Sequence, residues 1–161
     1  GVDASQAEAA VRHELQNPSP ARIWSIAKAF DLGMSVEDVH LLTKIDGWFL
    51  AKLHHIHRLR ASLGGMDAAE LGRSAPLLRE AKRCGFADRQ IARDLATRPC
   101  EGAGATEDGI RQLRKRLGIS PVVKQIDTLA AEFPAETNYL YLTYSGVEHD
   151  VDLADSRAES G

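Results

Sequence analysis

Three histidines stand close together in the stretch "KLHHIH": His54, His55 and His57. On a helix, His54 and His57 lie three residues apart and share a face, close enough for two imidazoles to reach one metal ion. The spacing supplies no further ligand, because position 58 is Arg and position 61 is Ala. A solvated or partner-facing histidine cluster is therefore favoured over a metal site. The two cysteines offer little more. Cys84 falls on an expected helix and Cys100 in an expected loop, and neither has a His or a helix N-terminus aimed at it to make a thiolate. "EGAGA" is rich in small residues but follows no strand and precedes no phosphate-binding lysine. No GxGxxG, GxxxxGK[ST] or GxSxG motif is present. Nothing in the chain has the makings of an active site, and no catalytic, cofactor or metal residue is expected.

Two charged stretches are better candidates for binding. "ADRQIARDLATRP" followed by "IRQLRKRLGIS" has the period and charge of a helix-turn-helix, with Arg111, Arg114, Lys115 and Arg116 as phosphate contacts. A stand-alone nucleic-acid-binding regulator is thus the alternative reading. Against it, Arg111, Arg114 and Lys115 form the polar face of a helix whose apolar face is Ile110, Leu113 and Leu117. In "VVKQIDTLAAEF", apolar residues surround Lys124, Asp127, Thr128 and Glu132. Read as a helix, Lys124 and Asp127 pair at i, i+3, and Thr128 and Glu132 share a face at i, i+4. That polar face suits docking onto another domain, beside the bland reading of an ordinary amphipathic helix.

"TNYLYLTYSG" breaks the helical pattern. Tyr139, Tyr141 and Thr143 face one side of a strand, and Leu140, Leu142 and Tyr144 face the other. A lone strand leaves its backbone groups unpaired, and no convincing partner strand stands out elsewhere. Tyr139, Tyr141 and Tyr144 join the candidates for interdomain contact.

The elements that carry these residues are mostly helices. Ser5-x-x-Glu8 reads as a capping box opening a helix that ends near Asn17. Ser19, with Pro20 at the first position, caps the next. Ile23, Ile26, Ala27 and Phe30 give that helix one apolar face, and Gly33 stops it. Ser35 caps a helix carrying Val36, Val39 and Leu42. Asp46 caps a longer one, with Phe49, Leu53, Ile56 and Leu63 inward, ending at Gly64 and Gly65. Further starts are read at Asp67-x-x-Glu70, Ser74, Asp88, Thr106 and Ser120, the last running through about Ala131. One cluster is expected from Ile23, Ile26, Phe30, Trp48, Phe49, Leu53 and Ile56. Another is expected from Leu78, Phe86, Ile91, Leu113 and Leu117.

"LGMS", "CGFA" and "LGIS" repeat a helix-ending Gly at 33, 85 and 118, followed by a hydrophobic residue that folds back on the helix. Aligning Gly33 with Gly85 matches Ile26 to Leu78, Ala29 to Ala81, Met34 to Phe86 and Val39 to Ile91. The reading is all-α: two related helical subdomains with a short extended segment near the C-terminus. The expected layout is a flanking helix at 1–16, subdomains at 17–63 and 74–133 around a hinge at 64–73, an exit segment at 134–151 and a flexible tail at 152–161.

The chain has 161 residues, 43% hydrophobic and 27% charged, enough for one domain or two small ones. No apolar run is long enough to span a membrane, and "GVDASQAEAA" lacks the marks of a signal peptide. Two cysteines suit a reduced, cytoplasmic setting. Residues 73–124 hold twelve Lys/Arg against six Asp/Glu, and 127–161 hold one Arg against eight acids. Solvated helix faces are favoured as the account of this over an acidic partner or nucleic acid. The missing Met and the trailing "ADSRAESG" suggest a piece of a longer protein.

"ARIWSIAKAFDLGMSVEDVHLLTKIDGWFL", "LREAKRCGFADRQIA", "IRQLRKRLGISPVVKQIDTLAAEFPAETNYLYLTY" and "GVEHDV" together resemble the connecting, or oligomerization, domain of the carbamoyl phosphate synthetase large subunit. The likeness covers roughly residues 17–151, and its style is closer to the eukaryotic glutamine-dependent enzymes. It implies an all-helical, non-catalytic scaffold between two ATP-grasp halves of a ligase that makes carbamoyl phosphate from bicarbonate, glutamine or ammonia, and ATP. The implied partners are those two halves, a glutaminase domain or subunit, and further copies in an oligomer, with no nucleic acid and no membrane. ATP and Mg2+, with K+ as a further candidate, belong to the parent enzyme and not to this stretch. The product feeds pyrimidine or arginine/urea synthesis. Gly47 stands where the family usually has a larger residue or Pro, which is expected to loosen that helix start. "RPCEGAGATED" is longer than the family's usual loop. The strand's missing partner is expected in the parent or in another copy.

Overall fold

The computed structural model describes residues 2–95, 105–126 and 139–151. The chain divides into two compact units, Gly1–Leu63 and Gly64–Gly161. Cys100, Asp127, Thr128, Glu132 and the tail lie outside the described residues, as does most of the "RPCEGAGAT" loop.

The first unit holds α1 (Val2–Gln16), α2 (Arg22–Asp31), α3 (Val36–Thr43) and α4 (Gly47–Gly64, whose last residue lies just past the boundary). α1 packs on α2 and α3 around Val11, Leu15, Ile26, Ala29, Phe30, Met34, Val39 and Leu50, with Leu53 against the cluster. Arg22 ties the elements together, its guanidinium donating to the carbonyls of Leu15 and Thr43. Those carbonyls sit near helix ends, where a cation and a donor are both welcome.

The expected first core is corrected. Ile26, Phe30 and Leu53 belong to it, but Ile23, Trp48, Phe49 and Ile56 are exposed. The inward residue at the start of α4 is Leu50, one position from Phe49. One residue is a 100° rotation on a helix, and the two neighbouring apolar side chains cannot both face the core.

Helix starts follow local chemistry unevenly. Ser35–Asp38 and Asp67–Glu70 form complete capping boxes, Thr106 accepts from the Gly109 N–H, and Asp46 accepts from the Trp48 N–H at 2.8 Å. Ser5 is different: α1 already begins at Val2, so Ser5 lies inside the helix. Ser19 does not cap α2 with its side chain; the cap position is Ala21, and the Ser19 carbonyl takes the Arg22 N–H instead.

The second unit holds α5 (Ala68–Arg73), α6 (Ala75–Arg83), α7 (Asp88–Leu95) and α8 (Glu107–Arg116), then strands β1 (Val122–Ile126) and β2 (Tyr139–Thr143). Leu71, Leu78, Ala81, Phe86, Ile91, Ile110 and Ile119 are buried, whereas Leu113 and Leu117 are only partly so. Gly33, Gly85 and Gly118 all have positive φ, at 81°, 90° and 64°. At each, the glycine N–H and the next N–H turn back onto the helix just ended: Met34 to Ala29, Phe86 to Ala81 and Ile119 to Arg114. This double bond pattern is the Schellman cap, and it requires the left-handed residue that glycine adopts without a Cβ penalty.

The expected helix from Ser120 to about Ala131 is overturned at its start. Val122–Ile126 is a strand, antiparallel to β2, with Val122 opposite Thr143 and Lys124 opposite Tyr141. The partner of the tyrosine strand is therefore in this chain, four residues beyond Gly118, and not in another copy or another domain. Two facts favour the strand. Val122, Val123 and Ile126 are β-branched, and a stretch of five residues is too short to be assigned by period alone once a partner is available.

Candidate interdomain-contact site

The turn between α6 and α7 buries a cation. Lys82 lies three residues before Gly85, on the covered side of α6, and its side chain is 6% exposed. A buried ammonium must be paired and hydrogen-bonded. Lys82 Nζ donates to the Phe86 carbonyl at 2.7 Å and to Asp88 Oδ1 at 2.7 Å. The second oxygen of Asp88 accepts from Arg114 Nε on α8 at 2.8 Å, and the Arg114 side chain is 11% exposed. One carboxylate thus bridges two cations from two helices. Burial pushes the Asp88 carboxyl upward, but hydrogen bonds from Lys82 and Arg114 outweigh it and hold its pKa below the usual carboxylate value.

The residue that follows β2 closes this cluster. The Tyr144 ring has Lys82 Nζ at 5.1 Å and the Arg114 guanidinium carbon at 5.9 Å from its centroid, within cation–π range. Burial raises the phenol pKa, opposed by the Arg114 charge. Tyr144 is therefore a tie inside the unit, linking the hairpin to α6 and α8.

A second tie holds the other edge of β1. Val123 donates to His149 Nδ1 at 3.1 Å, and its carbonyl takes the Asp150 N–H at 2.9 Å. Asp150 then accepts from Lys124 Nζ at 2.6 Å and from the Gln125 N–H at 3.1 Å. The hydrogen bond from Lys124 lowers the Asp150 pKa, and the same contact raises that of Lys124. The chain passes close to β1 here: a Cβ on Gly146 would lie 2.4 Å from Val122 Cγ2, so any larger residue forces that side chain to move.

Among the expected contact residues, the structure brings Lys124, Tyr139, Tyr141 and Tyr144 to one hairpin. Lys124 pairs with Asp150, and the expected pairing with Asp127 falls on a residue outside the described ones. Tyr139 and Tyr141 remain exposed, together with Leu140, Leu142 and Ile126, at 48–69% each. These strand side chains alternate between the two faces, so apolar surface is left on both. Lys82, Asp88 and Arg114 were missed as a group. The signal lay in the alignment of Gly33 with Gly85, which sets Lys82 on the buried position of Phe30.

The other charged candidates resolve differently. Arg114 is taken up by Asp88 and is not offered to a phosphate, and Arg111 is bonded to Glu107 and Asp108 on its own helix. His57 Nε2 lies 2.9 Å from Asp31, a carboxylate 26 residues away in sequence. The His54 and His57 rings stack at 6.2 Å, with Phe30 beside both.

The family model for the carbamoyl-phosphate synthetase large chain, oligomerisation domain, matches residues 1–118. The chain belongs to this family. The Multifunctional protein pyrABCN of Emericella nidulans is 45% identical over 156 residues, which covers 97% of this chain and 6% of the relative. The Carbamoyl-phosphate synthase [ammonia], mitochondrial, of Homo sapiens is 46% identical over 145 residues, covering 90% and 9%. The Multifunctional protein URA2 of Saccharomyces cerevisiae is 44% identical over 156 residues, covering 96% and 7%. The chain therefore spans less than a tenth of the length of these relatives. The matches to the fungal proteins run past residue 118, so the hairpin region has counterparts in them. Among the described residues, no helix is long and apolar enough to cross a membrane.

Proposed function

We propose that this oligomerisation domain works within a longer polypeptide that makes carbamoyl phosphate from bicarbonate, glutamine or ammonia, and ATP. Its role there is mechanical: it holds two ATP-grasp halves in register and carries no catalytic residue. ATP and Mg2+ bind those halves, and a glutaminase domain or subunit supplies nitrogen. The two-unit layout, with a joint near Gly64, suits a spacer built by duplication of one helical pattern. A cytoplasmic setting and a product destined for pyrimidine or arginine synthesis complete this reading.

The observation that carries the proposal is the hairpin. Two strands alone are marginal in water, and this pair exposes Ile126, Tyr139, Leu140, Tyr141 and Leu142. It is tied to the helices by Tyr144 on one side and clasped by His149 and Asp150 on the other, and this tethering supports reading it as a contact surface. The polar candidates Asp127, Thr128 and Glu132 come after β1 in sequence, outside the described residues.

The test is Leu142→Glu in the longer polypeptide. A carboxylate on this exposed face leaves the 161-residue chain folded. In the longer enzyme it uncouples the halves, so ATP hydrolysis continues without matching carbamoyl phosphate. Full coupling in the variant would remove the hairpin from the role assigned to it.

A further inference from the structure

Two aspartates are followed directly by glycine: Asp46–Gly47 and Asp108–Gly109. Glycine has no Cβ to shield its amide nitrogen, so in such a pair that nitrogen can reach the carboxyl carbon of the aspartate before it. Both pairs stand at the start of a helix, α4 and α8, and the two starts are built differently. At α8 the nitrogen and the carboxylate are both occupied. The Gly109 N–H donates to Thr106 Oγ1 at 3.1 Å, and Asp108 Oδ1 accepts from Arg111 at 3.1 Å. Closing a ring there breaks the cap, the ion pair and the first helical turn together.

At α4 the nitrogen is open. Gly47 is the first helical residue, and the first N–H groups of a helix have no partner within it. Its N–H makes no hydrogen bond among the described residues, and a Cβ at Gly47 would meet no atom within 4 Å. Asp46 is exposed. Its Oδ1 accepts from the Trp48 N–H at 2.8 Å, which carries the carboxyl group across the Asp46–Gly47 peptide as in an Asx-turn. Negative charge grows on a carboxyl oxygen when a nitrogen adds to its carbon. The Trp48 N–H already points at that oxygen, with the positive end of α4 behind it. The contact that caps the helix thus doubles as an oxyanion contact.

We propose that Asp46 is a self-modification site, where the start of α4 converts aspartate to isoaspartate through a succinimide. The Gly47 nitrogen bonds to Asp46 Cγ. The amide proton and the carboxyl hydroxyl leave as one water, and a five-membered ring closes. Water then opens the ring. Cleavage between Cγ and nitrogen returns aspartate. Cleavage between the backbone carbonyl carbon and nitrogen leaves isoaspartate, with the main chain running through Cβ and Cγ and the old carbonyl now a free carboxylate. One water leaves and one returns, so the mass is unchanged. That carbonyl accepts the Leu50 N–H at 3.1 Å, and Leu50 is fully buried. An added methylene and a lost carbonyl loosen Trp48–Leu50, so the start of α4 records the age of the chain.

The experiment ages the folded chain in neutral buffer at physiological temperature and maps its peptides by mass spectrometry with electron-transfer fragmentation. Isoaspartate is expected to accumulate at Asp46 several-fold faster than at Asp108, and hydrogen exchange at Trp48–Leu50 to quicken in step with it. Gly47→Pro removes the attacking N–H and suits the first position of a helix; it abolishes the Asp46 product and leaves Asp108 as before. Asp46→Ser keeps a capping oxygen without the carboxyl carbon, and its exchange at Trp48–Leu50 stays constant with age. The proposal is overturned if Asp46 stays aspartate as the chain ages, or if Asp108 reacts as fast. Isomerisation of Asp46 in urea but not in the folded chain overturns it as well, because the cap then protects. Isoaspartate at Asp46 with no quickening of exchange would strike out the effect on α4.

Discussion

The turn at Gly33 and the turn at Gly85 share one backbone and differ in what fills it. Both have a left-handed glycine and the same pair of returning N–H bonds. Ile26 and Leu78, Ala29 and Ala81, Met34 and Phe86, and Val39 and Ile91 are buried in matching positions. Three residues before the glycine, the first unit has Phe30 and the second has Lys82. Three residues after it, the first has Val36 and the second Asp88. An apolar contact in one unit is thus replaced by a buried ion pair in the other. The lesson is that a capping geometry fixes where side chains go but not which physics holds them. The apolar version is complete in itself, with Val36 packed on the cluster that contains Phe30. The ionic version draws in Arg114 and Tyr144, and so connects the turn to another helix and to the hairpin.

Breaking each version separates them most sharply. Asp88→Asn leaves Lys82 and Arg114 buried without a counter-charge and is expected to cost about 3–5 kcal/mol. Phe30→Ala, a cavity in the first unit, costs a similar ~3–5 kcal/mol. Urea titration measures both, and pH distinguishes them. The folded pKa of Asp88 is depressed, so its stabilisation is present above the unfolded carboxylate value of about 4 and is lost as pH falls through the folded value. Phe30→Ala keeps that acid sensitivity in the second unit, whereas Asp88→Asn removes it.

Converting one version into the other sharpens the comparison. The triple change Lys82→Phe, Asp88→Val, Arg114→Met is expected to be neutral or to stabilise the helices by about 1–4 kcal/mol, as buried ion networks do when replaced as a set. Tyr144 then loses its cations, a weakening of roughly 0.5–2 kcal/mol. Hydrogen exchange checks this: faster exchange in Tyr139–Thr143, with protection in α6 and α7 unchanged or raised. Slower exchange throughout would mean that Tyr144 does not tie the hairpin down.

Gly33→Ala and Gly85→Ala should each cost about 1–2 kcal/mol, equally in the two units, since neither site has an atom within 4 Å of a new Cβ. Unequal losses would show that the caps are not equivalent. The smallest change is Gly47→Ala, at a helical position with open space around it, expected to stabilise by roughly 0.5 kcal/mol as read from thermal melting.

What could be read from residues alone follows the range of the interactions. The three glycine stops, the Ser35, Asp67 and Thr106 caps and the Tyr139–Thr143 strand are set by neighbours within a few positions, and all were legible. The inward side of α4 was not, because Phe49 and Leu50 are adjacent and equally apolar; only the packing of α1 to α3 selects Leu50. β1 was misread for the same reason, since its partner lies far along the chain. Lys82 was not singled out, because the partners that hold it, Asp88 and Arg114, come from other helices. Of the hairpin's tyrosines, Tyr139 and Tyr141 are exposed, while Tyr144 turned inward to the cations.

The clasp on β1 also sets an order of events. Val123 and Lys124 are held by His149 and Asp150, partners 26 residues later in the chain. During synthesis from the N-terminus, α1 to α8 can close around their own caps while β1 still waits for β2 and then for Asp150. The stretch at His149 and Asp150, emerging after both strands, therefore locks the one sheet among the described residues, and a chain paused before His149 emerges carries folded helices with an open, sticky strand.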